Sequence, residues 1–171
     1  MSTVRFESIP LFARLNPEEI DRVRPLFSER SFPPRTQVIV EGELGREMYI
    51  LVSGKVRIVK SMILPGIDIA ALAGKDPSKV LATLTGEVQP LFGEMGLISD
   101  SPRSATVETL EAARFLVTDR ERFFALVQAD AELGCKLLSA LCERMADMVR
   151  SSNAEVMKLT TALTLLLSGK R

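Results

Sequence analysis

Between Phe32 and Lys60 the chain carries no helical periodicity, only short β-branched runs cut by glycine: TQVIVEGE, then EMYILVSGKVRIVK. Val, Ile and Thr pack well on a pleated surface and Gly closes each run. The segment therefore predicts short strands in a meander, with Ser53-Gly54 as a hairpin turn. Lys79–Leu84, Ser104–Thr109 and Arg114–Thr118 read as further short strands, and Pro90 and Gly93 break the chain before one helical turn at Glu94–Ile98. Short strands repeated at turn-marked spacing close best into a roll or barrel.

Helical signals flank this region. Asn16 can cap a helix, Pro17 suits its first position and Glu19 completes a capping-box spacing, so a short helix is expected to about Phe27. After Thr118 the period changes to that of a helix. Arg120–Gln128 and Ala131 to about Leu167 are the expected elements, with Asp130 as cap of the second and a break near Ser151–Asn153 left open. The expected fold class is mainly β with flanking helices, an α+β antiparallel β-roll or jelly-roll-like barrel plus a long C-terminal helix. Residues 1–130 form the roll with its N-terminal helix, and residues 131–171 the long helix.

Along that helix Leu138, Leu141, Met145, Met148, Ser152, Val156, Leu159, Leu163 and Leu166 recur at steps of three or four. Packing of this stripe on the protein's own roll is the alternative to a partner. A helix of ~36 residues is ~54 Å long and overhangs a domain of this size, which favours a homodimer through the C-terminal helix.

Composition narrows the function. Lys plus Arg and Asp plus Glu are 22 each, so no basic excess is available for phosphates along a duplex or for an anionic membrane surface. Histidine is absent, which removes the commonest metal ligand and general base and argues against an enzyme. Cys135 and Cys142 lie two helical turns apart, about 10 Å, too far for a mutual disulfide, and read as buried thiols of a reducing compartment. The N-terminus MSTVRFESIPLF lacks a signal-peptide pattern, and no run approaches the ~20 apolar residues that span a bilayer. The expectation is a cytoplasmic protein with no membrane and no nucleic-acid partner.

Chemistry concentrates in Phe92-Gly93-Glu94-Met95-Gly96-Leu97-Ile98, followed by Ser101-Pro102-Arg103-Ser104-Ala105-Thr106-Val107. A glycine before a short helical turn permits close backbone approach, and the turn's free N–H groups can receive a phosphate. Glu94 offers an acceptor to a sugar hydroxyl, and Arg103 the charged fork that phosphate oxygens prefer. On the residues alone, a turn and a surface charge account for the same pattern at least as well.

The stretch resembles the phosphate-binding cassette of the cyclic-nucleotide-binding domain family, in its cyclic AMP receptor protein-like β-roll form. VEGELGREMYILVSGKVRIV resembles that family's first strands, and the resemblance spans about Leu11 to Ser151. It implies a regulatory sensor of a cyclic purine mononucleotide, with no catalytic residues, metal or cofactor. The implied ligand set is Gly93, Glu94, Met95, Arg103, Ser104 and Ala105. Glu94 would take the ribose 2′-hydroxyl, and Arg103 with Ser104 and the Gly93–Met95 backbone the cyclic phosphate. Ser104 favours cyclic AMP over cyclic GMP, whose binders in the family often carry threonine. Met148, Val149, Ser151 or Ser152 of the long helix would contribute near the base, and an effector protein would read the helix position. Gly42, Gly45 and Gly54 match the family's structural glycines and read as turn residues only.

Three departures from the family pattern stand out. SMILPGIDIAALAGKDPSK is longer than the usual turn, and its apolar run Met62–Ala73 reads as a hairpin excursion packing on its own roll, with a docking surface or lid as alternatives. Pro90 precedes the cassette, where it would alter the pocket entrance. About twenty helical, apolar residues follow Ser151, so a stand-alone member without a helix-turn-helix domain is expected. A non-binding scaffold of the same fold, or a truncated or diverged transcription regulator, are the competing readings.

Overall fold

Eight strands form two antiparallel four-stranded sheets in this computed structural model, which describes residues 4–61 and 78–168. They are β1 (Ser28–Phe32), β2 (Gln37–Ile39), β3 (Glu47–Ser53), β4 (Lys55–Ser61), β5 (Ser78–Thr85), β6 (Leu91–Phe92), β7 (Thr106–Thr109) and β8 (Ala113–Asp119). One sheet runs β1-β8-β3-β6 and the other β2-β7-β4-β5. The helices are α1 (Pro17–Val23), α2 (Glu94–Ser99), α3 (Arg120–Ala129) and α4 (Ala131–Ser168).

The Ser53-Gly54 hairpin is not formed. β3 and β4 lie in different sheets, and the chain crosses from one to the other at Gly54, whose φ is +93°. A Cβ there would stand 2.6 Å from the Ala112 carbonyl oxygen, so glycine serves a close sheet-to-sheet crossing as well as the backbone angle. Turn chemistry is the same for both uses, which is why local sequence cannot separate them.

Strands β3 and β8 are buried on both faces. Tyr49, Leu51, Phe115 and Val117 point between the sheets with Ile39, Val56 and Val107. The alternate residues Met48, Ile50 and Leu116 pack under the helices with Phe12, Ile20, Leu97, Phe123, Leu133, Leu137 and Leu141. Period-two alternation therefore builds two apolar layers from one sheet, each fully buried side chain contributing ~1.5–3 kcal/mol.

Caps fix the helix starts. Asn16 Oδ1 accepts from Glu19 N at 2.9 Å and Glu19 Oε2 from Asn16 N at 2.9 Å, the reciprocal capping box of α1. This helix stops at Val23 rather than Phe27 because Pro25 ends the ladder in a 3₁₀ turn, Arg24–Leu26. Asp130 Oδ1 accepts from Leu133 N at 3.1 Å and caps α4.

α4 runs unbroken through Ser151–Asn153 for 38 residues, about 57 Å. Its stripe divides in two. Leu141 is 1% exposed and Leu138 packs against the same internal cluster, so this part of the seam faces the protein's own core. From Met148 onward the stripe is exposed, with Val156, Leu159, Leu163 and Leu166 each more than half accessible. Cys135 and Cys142 are both exposed, contrary to the buried thiols expected, because they sit on the helix face turned from the core. The run Met62–Ala73 lies outside the described residues, while its flanks pair, Ser61 opposite Ser78. Among the described residues no helix is long and apolar enough to cross a membrane.

Candidate functional site

Gly93 starts the site. Its φ of +82° turns the chain from β6 into α2, and a Cβ there would meet the Glu47 carbonyl oxygen and Arg103 Nη1, both at 2.6 Å. Glycine is thus required by the backbone angle and by the approach of the cation. The turn brings Glu94, Met95 and Gly96 to the wall of a cavity of about 220 Å³.

Arg103 arrives from the opposite side, fixed by its own backbone: Arg103 N donates to Glu43 O at 2.9 Å and Arg103 O accepts from Gly42 N at 2.9 Å. Its residue exposure is 9%. Nη1 donates to Gly93 O at 3.2 Å, and among the described residues no carboxylate pairs with the guanidinium. Burial pushes this guanidinium below its ordinary pKa, while Tyr49, Glu47 and Glu94 oppose the shift. An arginine stays charged under such opposition, so a largely desolvated cation faces the cavity with most of its donors unused. Behind it the Tyr49 hydroxyl donates to Glu47 Oε2. Burial, then that hydrogen bond, raises the phenol well above its usual range and keeps it protonated.

Glu94 is 4% exposed, and Arg144 of α4 donates to it, Nε to Oε1 at 3.2 Å. The Nη2 of Arg144 donates to Leu91 O at 2.6 Å, tying the helix to both ends of the β6–α2 turn. At the far end of α2 the Arg120 guanidinium donates to the carbonyls of Leu97 and Ile98, the latter at 2.6 Å, which closes orphan C-terminal acceptors.

The structure brings Gly93, Glu94, Met95, Arg103, Ser104 and Ala105 to one cavity wall, and Met148 joins them from α4. Val149 and Ser152 do not line this cavity: Val149 is turned about 100° around the helix from Met148, and Ser152, on Met148's own face, stands about 6 Å further along the axis. Ser151 lines a second cavity of about 670 Å³ between the N-terminal turns and α4, and Pro90 lines that cavity and not the first, although Leu91, Arg144 and Met148 border both.

Two participants escaped the sequence. Arg144 reads as one more cation on a solvated helix face. Gly45 reads as a turn residue, yet a Cβ on it would lie 2.5 Å from Arg103 Nε, so its function is to leave room for the guanidinium. A Cβ on Gly96 would in turn strike the Gly45 carbonyl oxygen, so three glycines give the cation its berth. Among the described residues no group of Cys, Asp or Glu is arranged to hold a metal ion.

Comparison with known proteins agrees with this geometry. A family profile described as Cyclic nucleotide-binding domain matches residues 29–130, more than half of the chain. The chain is 32% identical over 139 residues to the Cyclic AMP receptor protein of Thermus thermophilus, covering 81% of this chain and 58% of that protein. It is 26% identical over 121 residues to a cAMP-dependent protein kinase regulatory subunit of Pyricularia oryzae, covering 71% of this chain and 27% of that one. Among solved structures, the Thermus thermophilus Catabolite Activator Protein superposes with TM-score 0.72 at 30% identity, covering 88% of this chain and 63% of that one. A cyclic nucleotide-binding domain from Methylobacillus flagellatus gives TM-score 0.74 at 22% identity, a likeness of fold, with 89% and 82% coverage. The chain spans only part of the length of the curated relatives it resembles, from 58% down to 14%. With its two antiparallel sheets, flanking helices and long C-terminal helix, the chain belongs to the cyclic nucleotide-binding domain family.

Proposed function

We propose that the cavity between α2 and the loop carrying Arg103 binds a cyclic purine mononucleotide, with cyclic AMP preferred to cyclic GMP, and that the protein acts as a regulatory sensor. The observation that carries this reading is the state of Arg103: buried, charged, held by one hydrogen bond to Gly93 O and without a carboxylate partner among the described residues. A buried cation in that state costs stability unless an anion completes it, and a phosphate offers its fork two oxygens. Glu94 stands on the same wall as the acceptor for a ribose hydroxyl. Ser104 is exposed beside Arg103 and supplies a further donor.

Ligand occupancy reaches the rest of the molecule through Glu94. A ribose hydroxyl donating to this carboxylate changes the partner of Arg144, and with it the seating of α4. The exposed stripe from Met148 to Leu166 supports a homodimer through the helix, so an effector protein would read a change in helix position. A melting experiment tests the reading. A ligand that binds only the native state adds ~2.7 kcal/mol at a hundredfold excess over its dissociation constant, so cyclic AMP raises the melting temperature and linear 5′-AMP does not. No shift with any cyclic mononucleotide at millimolar concentration refutes the reading.

A further inference from the structure

Two residues of the stripe on α4 are engaged within the chain: Leu141 is buried in the core and Met148 lines the ligand cavity. Their neighbours Cys142 and Val149 are both exposed. With these in their places the outward stripe runs from Leu138, at the border of the core, through Cys142, Met145, Val149, Ser152, Val156, Leu159 and Leu163 to Leu166, and its steps alternate four and three without interruption. The stripe through Leu141 and Met148 instead takes two steps of four in succession, from Met148 to Ser152 to Val156. An unbroken 3.5-residue repeat is the pattern of two helices supercoiled on one another.

Heptad positions follow from the repeat. Cys142, Val149, Val156 and Leu163 occupy the a positions, and Leu159 and Leu166 are among the d positions. β-branched residues at a with leucine at d favour two parallel strands, in which each a residue meets its own copy. Helix axes ~8–10 Å apart and a Cα radius of ~2.3 Å bring facing Cα atoms to about 3.5–5.5 Å at closest, and a residues, slightly off that line, a little further. A disulfide spans ~4.4–6.8 Å between Cα atoms. Cys135, one heptad earlier, has no seam before it, since the preceding d position is Ala131, the first residue of α4. Cys142 is flanked on both sides, by Leu138 and Met145.

Resting on the homodimer reading above, we infer that Cys142 is a modification site, where a low-molecular-weight disulfide joins it to the partner's Cys142 across a parallel, in-register pair of α4 helices. In the single chain Cys142 is exposed, so its thiolate attacks one sulfur of the small disulfide, breaks that S–S bond and releases one thiol. On pairing, the thiolate of the partner's Cys142 attacks the protein sulfur of this mixed disulfide and releases the second thiol. Two protein thiols are oxidised and one small disulfide is reduced, and the two protons lost by the cysteines end on the released thiols. The bond makes the dimer covalent two residues before Arg144, which ties α4 to Glu94.

Sedimentation of the reduced chain, followed by equilibration of wild type, Cys135→Ser and Cys142→Ser in mixtures of oxidised and reduced glutathione, tests this. Extents of cross-linking are read on denaturing gels without reductant. Both positions are exposed, so neither serine removes a core contact. Facing thiols react at the high effective concentration of one assembly, so wild type and Cys135→Ser should reach half cross-linking in a mixture at least about tenfold more reducing than Cys142→Ser requires. A reduced chain that sediments as a dimer, yet whose Cys142 thiols do not cross-link or whose Cys142→Ser variant cross-links as readily as Cys135→Ser, overturns the inference and leaves the homodimer standing. A reduced chain that sediments as a monomer removes the homodimer reading first, and the thiol pairing falls with it.

Discussion

Glu94 of the cassette helix and Arg144 of the long helix form an ion pair, Nε to Oε1 at 3.2 Å, with the carboxylate side chain 5% exposed and the guanidinium 40%. The pair joins the ligand-facing turn to the element that leaves the domain. Arg144 neutralises a carboxylate that would otherwise be buried alone. Arg144→Ala should therefore destabilise the fold by about 1–3 kcal/mol, less than for a fully buried pair because the guanidinium reaches water. Urea midpoints of the two proteins measure this, and equal midpoints would show the pair to be energetically idle.

Gly45 permits a test that separates the site from the fold. Its φ is not in the left-handed region, so alanine is acceptable to the backbone, but the added methyl group would stand 2.5 Å from Arg103 Nε. The group that must yield is the end of a flexible side chain. Gly45→Ala should thus leave the melting temperature within a few degrees of wild type and weaken cyclic AMP by about tenfold or more. A variant that binds normally would show that Arg103 does not need its present position.

Much of this was legible in the sequence, and the rest was hidden for identifiable reasons. The capping box at Asn16 and Glu19, the cap at Asp130 and the cassette turn at Gly93 are local devices whose chemistry is complete within a few residues, and each occurs where expected. Gly54 failed as a hairpin because a sheet crossing and a hairpin ask the same of a glycine, and only the pairing of β4 with β7 distinguishes them. Leu141 and Cys142 exchanged roles for a related reason. Periodicity supplies the faces of a helix, but which face meets the core depends on where α1 and the N-terminal turns dock. Arg144 carries no local signature because its partner is fifty residues away.

Acid stability depends on a second link between the N-terminal helix and α4. Lys136 Nζ lies 2.6 Å from Glu19 Oε1. That hydrogen bond first, and the one from Asn16 N next, hold the Glu19 carboxyl below its ordinary value of 4.5. A carboxyl whose folded pKa is lowered contributes fully above the unfolded value and loses its contribution as pH falls through the folded one. Wild type should therefore unfold at higher urea than Glu19→Gln at neutral pH, and the gap should close below pH 4.5. A gap independent of pH would assign the difference to packing.

Self-association should reside in the outer part of α4. Leu159 and Leu163 are 67% and 57% exposed, so Leu159→Asp with Leu163→Asp should give monomers by sedimentation while the roll keeps its thermal transition. Leu141→Asp, placing a charge at a site 1% exposed, should instead unfold the domain. A wild-type chain that sediments as a monomer at micromolar concentration would rule out the helix as a dimer contact.

Arg103 remains the point on which the account turns, and calorimetric titration of cyclic AMP into wild type, Arg103→Ala and Arg103→Lys tests it directly. Each protein is first checked for an intact thermal transition. Removing one partner of a buried charge pair costs ~2–5 kcal/mol, so Arg103→Ala should weaken binding by roughly 30-fold to several thousandfold. Arg103→Lys keeps the charge without the planar fork and should fall between the two. Wild-type affinity retained in Arg103→Ala, or no binding by the wild-type chain, would contradict the account.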